Sequence, residues 1–182
     1  MKRIVLSILC VFVVFGASAQ TFSKGDKVVN LGLGLGNTVY SGSGYKTSIP
    51  PISGSFEYGV VDNLFDDKSS LGVGGYLGYT SSKYDLGNNY DYKYSSTIVG
   101  VRGSLHYDFI EKLDTYTGLS LGYNIVSAKS DYKGLGSYKA ESSALYWGWY
   151  LGARYYFTDS FAAMAEIGYD IAYLNIGVAF KF

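Results

Sequence analysis

Glu57, Arg102, Arg154 and Glu166 each interrupt a stretch that is otherwise apolar, glycine-rich or hydroxyl-bearing. Carboxylates and guanidinium groups spaced so widely do chemistry together only if the fold gathers them, either as an acid–base site or as mutually neutralising ion pairs. Two charges of each sign favour pairing, because an unpaired charge in a confined interior is costly. The expected arrangement is an interior ion-pair network, with Tyr76, Tyr116, Tyr146, Tyr150 and Asn124 filling the space around it. Such a network fixes strand register; alternatively, exchanging pairs act as a gate for small solutes.

His106 is the sole histidine, in the context Leu105-His106-Tyr107-Asp108. No serine stands beside it to serve as a nucleophile, so a hydrogen-bonded filler is the expected role. Cys10 is the only cysteine, and no carboxylates cluster at ligand spacing, which argues against a metal site. Leu31 to Gly36 alternates Leu with Gly without the pattern or following helix of a phosphate loop. Neither catalysis nor a cofactor is expected.

A third set of residues suits recognition. Tyr84-Asp85-Leu86-Gly87 leads to Tyr90-Asp91-Tyr92-Lys93-Tyr94, and Asp131-Tyr132-Lys133-Gly134 leads to Tyr138-Lys139. Tyrosine with Ser, Gly and Asn is typical of adaptable binding surfaces, since a large rigid ring adds contact area at low entropic cost. Tyr84, Tyr90, Tyr92, Tyr94, Tyr132 and Tyr138 are therefore candidate contacts to an extracellular ligand or surface. The same composition also suits hairpins that extend a sheet outward.

The elements that must position these residues are strands. From about residue 28 the chain alternates with period two, in eight segments near 28–39, 52–60, 71–80, 97–108, 115–126, 145–157, 161–169 and 173–182. Each is long enough to cross a bilayer as a tilted strand, which takes about 9–11 residues. One face carries Leu31, Leu33, Leu35, Val99, Val101, Leu105, Leu119, Leu121, Leu145, Trp147 and their equivalents, with no Asp, Glu, Lys or Arg in phase. The opposite face carries Gly32, Gly34, Gly72, Gly74, Gly118, Gly122, Gly148 and Gly152 among serines. A water-exposed surface would be rich in Lys and Glu, whereas small residues belong where opposite walls share a narrow lumen. The greasy face is therefore expected to meet lipid.

Composition agrees: 24 Gly and 20 Tyr against 2 Pro, with only 16% charged residues where about 25% is usual. The aromatic residues in phase sort into two expected girdles, Tyr79, Tyr123, Trp147 and Tyr169 at one rim and Tyr107, Tyr155, Phe157, Phe161, Phe180 and Phe182 at the other. The segments Tyr40–Pro51, Ser81–Ser96 and Ser127–Ser143 are expected as long outer loops. The intervening connections, including Phe109–Asp114, are expected as short inner turns, and the connection near Asp170–Ala172 as a tight outer one.

Lys2 and Arg3, an apolar run from Ile4 to Gly16, then Ala17-Ser18-Ala19 have the layout of a secretory signal peptide, with cleavage expected after Ala19. Leu9 stands where a lipoprotein signal would want a small residue before Cys10. Without Lys2 and Arg3, 13 basic residues remain against 15 acidic, a balance that offers nucleic acid nothing.

The final segment, Asn175-Ile176-Gly177-Val178-Ala179-Phe180-Lys181-Phe182, resembles the C-terminal signal read by the outer-membrane barrel-assembly machinery, with Asn175, Gly177, Phe180 and Phe182 at its key positions. Together with the export segment and eight strands, the chain from Gln20 to Phe182 resembles the small outer-membrane β-barrels, the family of the outer-membrane protein A transmembrane domain and the outer-membrane protein X group. The resemblance implies an all-β, eight-stranded antiparallel up-and-down transmembrane β-barrel over residues 20–182 behind a signal peptide at 1–19. It also implies a Gram-negative outer-membrane location, a monomer, and outer-membrane lipid and the assembly machinery as partners. The leading functional expectation is a structural and interactive envelope component. The alternative is a small channel or conduit for hydrophobic molecules, and the third, a lipid-modifying enzyme, lacks its serine beside His106.

Overall fold

The computed structural model describes residues 21–42, 44–85, 91–132 and 136–182. The expected signal peptide and Tyr90 lie outside the described residues, and Tyr132 and Tyr138 are described by their backbone alone. The strands are β1 (Lys27–Asn37), β2 (Tyr45–Asp62), β3 (Ser69–Asp85), β4 (Asp91–Ile110), β5 (Leu113–Tyr132), β6 (Gly136–Tyr156), β7 (Phe161–Tyr169) and β8 (Ala172–Lys181). Each pairs antiparallel with its sequence neighbours, and β1 pairs with β8, so the sheet closes into a barrel with no free edge.

Closure fixes which face is which. On the outside Leu33 is 45% exposed, Val101 62% and Leu121 57%. Tyr76, Tyr116, Tyr150 and Arg154, in the opposite phase, are buried. At one rim Trp147 and Tyr169 meet with ring centroids 6.0 Å apart; at the other, Tyr155, Phe157, Phe161 and Phe180 form a chain of ring contacts at 5.2–6.2 Å. These outward rings are the two aromatic belts of a membrane-spanning barrel.

The structure corrects the expected outer loops. Most of Tyr40–Pro51, Ser81–Ser96 and Ser127–Ser143 is strand, so β2 to β6 run 17–21 residues against 9–11 for β1, β7 and β8. The β3–β4 ladder continues in register from Ser81↔Ser95 to Asp85↔Asp91, and β5–β6 from Ser127↔Glu141 to Tyr132↔Gly136. Tyr, Ser, Thr and Lys alternating without proline keep a hairpin paired after it leaves the bilayer. Within these extensions β2 is irregular, with register shifts around Ile49 where Pro50 and Pro51 cannot donate to a ladder.

Glycine's place in the lumen is also specific. Tyr116 is the cross-strand partner of Gly152, and Tyr150 of Gly118. A Cβ on Gly152 would lie 2.5 Å from the Tyr116 ring, and one on Gly118 2.4 Å from the Tyr150 hydroxyl. Each ring therefore lies across a neighbouring strand that has no side chain to displace it.

Candidate functional site

The lumen is filled in layers, beginning at the end with short turns. Thr21–Asp26, just before β1, folds up into the barrel and buries Phe22 among Val28, Tyr156, Ala162 and Ala179. Its backbone is clasped on several sides: the Gly25 N–H donates to the Gly59 carbonyl and the Gly59 N–H to the Asp26 carbonyl, both at 2.9 Å. The Ser70 hydroxyl donates to the Phe22 carbonyl at 2.8 Å, Lys181 Nζ to the Thr21 carbonyl at 3.0 Å, and both Thr21 donors reach Asp108. Sequence reading missed this plug; its one signal was Phe22, an isolated large apolar residue before the first strand.

Above Phe22 lies the first charge layer. The Phe22 ring stacks on His106 at 4.1 Å. His106 Nδ1 is 2.7 Å from Asp114 and Nε2 is 3.0 Å from Glu57. Only a ring carrying both protons donates to both carboxylates. Arg154 bonds the same pair of acids, Asp114 at 3.0 Å and Glu57 through its other terminal nitrogen. The Arg154 guanidinium also lies 4.3 Å from the centroid of the Tyr116 ring.

The second charge layer centres on Arg102, which reaches Glu166 at 3.1 Å and Asp170 at 3.6 Å, with its guanidinium 3.6 Å from the Tyr150 ring centroid. The Tyr116 hydroxyl donates to Glu166 at 2.9 Å, and Tyr146, Ser120 and the Ile171 N–H donate to Asp170. Above Asp170, Ile171 turns inward from the β7–β8 connection and packs on Tyr76, Ile98 and Ala172. Between the two charge layers remains a cavity of about 10 Å³ lined by Glu57, Arg102, Tyr116 and Arg154 among others, at the lower limit for one water molecule.

Glu57, Arg102, Arg154 and Glu166 thus all lie in the lumen, but as two layers, Glu57 with Arg154 and Arg102 with Glu166. The count of two charges of each sign was incomplete. Asp114 and Asp170, read as turn residues, are 0% and 3% exposed and complete the two layers with His106. Their signal was parity: Asp114 is in phase with Tyr116 and Gly118, and Asp170 with Glu166. Asn124, expected as lumen filler, is half-buried, as is Tyr146. Among the described residues, no three His, Cys, Asp or Glu side chains are placed to hold a metal ion.

At the far end the inward phase continues into a wall of tyrosines. Tyr45 lies 5.0 Å from Tyr84, 5.7 Å from Tyr40 and 6.1 Å from Tyr94; Tyr94 also meets Tyr40 at 6.0 Å and Tyr92 at 6.4 Å. The Tyr40 and Ser96 hydroxyls are 2.8 Å apart. Burial raises the Tyr40 and Tyr94 phenols above their ordinary value. Tyr40 and Tyr45 had not been singled out; register joins Tyr45 to the set, since Tyr45 faces Tyr84 and Tyr84 faces Tyr92, and ring contacts with Tyr45 and Tyr94 join Tyr40. In the same backbone row Ser130 follows Tyr92, and Tyr138 follows Ser130.

The model of the outer membrane protein β-barrel domain family matches residues 7–182. The chain belongs to that family. It is therefore an outer-membrane β-barrel of the Gram-negative envelope, in contact with outer-membrane lipid over its apolar face. Among solved structures, the attachment invasion locus protein Ail of Yersinia pestis, in complex with the heparin analogue sucrose octasulfate, is similar in fold, with a TM-score of 0.54 at 13% identity. That match covers 87% of this chain and 99% of the other. The N-terminal barrel domain of Pseudomonas aeruginosa OprF (TM-score 0.46, 15% identity, 88% and 98% covered) and P. aeruginosa OprG (0.45, 13%, 90% and 99%) are also similar. No curated protein sequence matches the chain. In barrels of this family short turns face the periplasm and long hairpins the cell exterior, which puts Phe22 at the periplasmic mouth and the tyrosine wall outside.

Proposed function

We propose that this is a non-catalytic envelope protein whose filled barrel anchors a tyrosine-lined β-wall outside the cell, and that the wall binds a sugar-bearing or peptide surface. The observation that carries this reading is the network formed by Tyr40, Tyr45, Tyr84, Tyr92 and Tyr94, whose rings meet at 5.0–6.4 Å on one face of the β2–β4 extension. Rings held by their neighbours lose little entropy when a flat sugar face or a side chain stacks on them. Packing against plugs and paired charges favours a rigid anchor over a conduit, since the cavity between the two charge layers measures only about 10 Å³. The Yersinia Ail structure is a complex with the heparin analogue sucrose octasulfate, which supports a sugar-like ligand on this fold. Tyr132 on β5 and Tyr138 on β6 are further candidate contacts by backbone position alone.

In this reading the chain acts as a monomer, and the assembly machinery takes β8 by Asn175, Gly177, Phe180 and Phe182. Phe180 and Phe182 are exposed at the periplasmic rim, where an incoming strand would present them. Gly177 packs so closely that a Cβ would lie 1.9 Å from the Leu31 carbonyl oxygen. The test is binding of the protein in lipid nanodiscs to host cells and to immobilised glycans. The Tyr45→Ala/Tyr84→Ala/Tyr94→Ala variant should lose binding by about a hundredfold or more, at about 1–2 kcal/mol for each anchoring ring. A folded variant that binds as well as the parent would overturn the proposal.

A further inference from the structure

The two faces of the wall outside the membrane differ in charge. Only β2 to β6 continue beyond the short strands β1, β7 and β8, so the inward phase lines a curved trough left open on the side of those three. Register places three rows across it: Tyr45, Tyr84 and Tyr92; then Thr47, Ser82, Tyr94, Ala128 and Ala140; then Thr80, Ser96, Val126 and Ser142. None of these residues is charged. The described charged side chains of the extension, Lys46, Lys83, Lys93, Lys129 and Glu141, all hold the opposite phase and are exposed.

Residue size divides the trough lengthwise. In the row that holds Tyr94, the ring finds its aromatic neighbours on one side only, Tyr40, Tyr45 and Tyr92 at 6.0–6.4 Å. On the other side its cross-strand partner is Ala128, which pairs in turn with Ala140. Ala140, Ser142 and Ala144 are exposed although they share the phase of buried Tyr150, because β7 accompanies β6 outward only as far as Trp149. The trough therefore has tyrosine rings along β2 to β4 and, beside Tyr94, a floor of small residues on β5 and β6.

This combination selects a ligand by its chemistry. A sugar ring has apolar C–H faces and a rim of hydroxyls; the faces stack on rigid aromatic rings, and the rim bonds to groups that both donate and accept, as Ser, Thr and Tyr hydroxyls do. A sulfate, phosphate or carboxylate ligand needs Arg or Lys within reach, and the described inward positions of the wall hold neither. An extended peptide is held chiefly by main-chain bonds along a free strand edge, not on a ring face.

We infer that the trough beside Tyr94 binds an uncharged oligosaccharide, stacked on the Tyr94 ring and lying over Ala128 and Ala140, with Ser142 and the phenol hydroxyls bonding its rim. The inference rests on the tyrosine wall being a binding surface and narrows its ligand to neutral glycan. The charged outward face takes no part in it.

The test is titration of the full protein in lipid nanodiscs with a panel of neutral oligosaccharides of galactose, mannose and N-acetylglucosamine, with their sulfated forms, and with neutral extended peptides. Folding of each variant is checked by heat-modifiable gel migration. A neutral sugar should bind most tightly, with an affinity that changes less than about twofold between low and physiological salt, since no ion pair forms. Tyr94→Ala and Ala140→Phe should each weaken it on the order of tenfold, the first by removing the stacking face and the second by filling the floor. Lys83→Gln/Lys93→Gln/Lys129→Gln should bind as the parent does. Should Tyr94→Ala fail to fold, Ala140→Phe and the parent's order of preference carry the same reading. Tighter binding of a sulfated sugar or a peptide, no binding of any neutral sugar, steep salt dependence, parental affinity in Ala140→Phe, or weakened binding in the lysine variant would each overturn the inference. Where a sulfated sugar or a peptide binds instead and the Tyr45→Ala/Tyr84→Ala/Tyr94→Ala variant loses it, the wall stands as a binding surface and only the neutral-glycan inference falls.

Discussion

Arg102 shows why single residues in this lumen are consequential. It touches Glu166 and Asp170 and lies on the face of Tyr150, and the adjoining cavity of about 10 Å³ leaves room for at most one water to screen what its loss would expose. Arg102→Met should destabilise the barrel by about 3–5 kcal/mol, because two buried carboxylates lose their counter-charge and keep only hydroxyl donors and the Ile171 N–H. Arg102→Met/Glu166→Gln should recover part of that loss by removing one stranded charge. Urea unfolding in lipid vesicles measures both; an Arg102→Met midpoint equal to the parent's would contradict the layered pairing. The candidate residues on regular strand were legible because parity alone sends them inward. Asp114 and Asp170 were not, because each sits one step from a chain reversal, where an acidic residue reads as turn chemistry. Continuing the alternation by one residue at each end would have placed both.

At the scale of the element, the central strand assignments agreed closely with the structure and the strand lengths did not. Hydrophobic alternation marks only the part of a strand that faces lipid. Beyond the bilayer both faces of a hairpin are polar, so β2 to β6 continue as paired sheet through segments whose Tyr, Ser and Lys content resembles a loop. Glycine is equally specific here: Gly152→Val would drive a side chain into the Tyr116 ring, and should cost about 1–3 kcal/mol as overpacking, whereas Gly103→Val meets open space and should cost much less. Comparing the unfolding midpoints of the two variants tests this.

The β2–β3 turn gives a pH prediction. Slight desolvation raises the Asp66 carboxyl, but the Lys68 N–H at 3.1 Å and the Tyr107 hydroxyl at 3.0 Å outweigh it and hold the group below the ordinary carboxylate range. A depressed acid stabilises its turn above the unfolded value of about 3.9 and loses that contribution as pH falls through the folded one. The Lys68 amide shift should therefore stay constant from neutral pH down to about 4 and titrate only below it, as NMR in detergent would show.

For the whole molecule, the alternation in sequence set strand count, closure and the outward direction of Leu33, Val101 and Leu121, because a barrel wall has only two faces and one of them lacks charge. It gave no hint that both mouths would be stoppered, since the stoppers are single apolar residues on irregular backbone: Phe22 before β1 and Ile171 between β7 and β8. Those two residues separate a gate from a solid core. If either stopper were the barrier to ions, Phe22→Ala/Ile171→Ala would conduct in a planar bilayer. Between them, however, Arg154 holds Glu57 and Asp114, Arg102 holds Glu166 and Asp170, and the Tyr116 ring fills the level between the two arginines. An ion crossing that region must displace buried salt bridges from a cavity that holds at most one water. The doubly truncated barrel should therefore be less stable by several kcal/mol, from loss of two buried side chains at about 2–5 kcal/mol each, yet remain electrically silent. Stable unitary openings from that variant would show that the charge layers exchange partners readily and would restore the conduit reading.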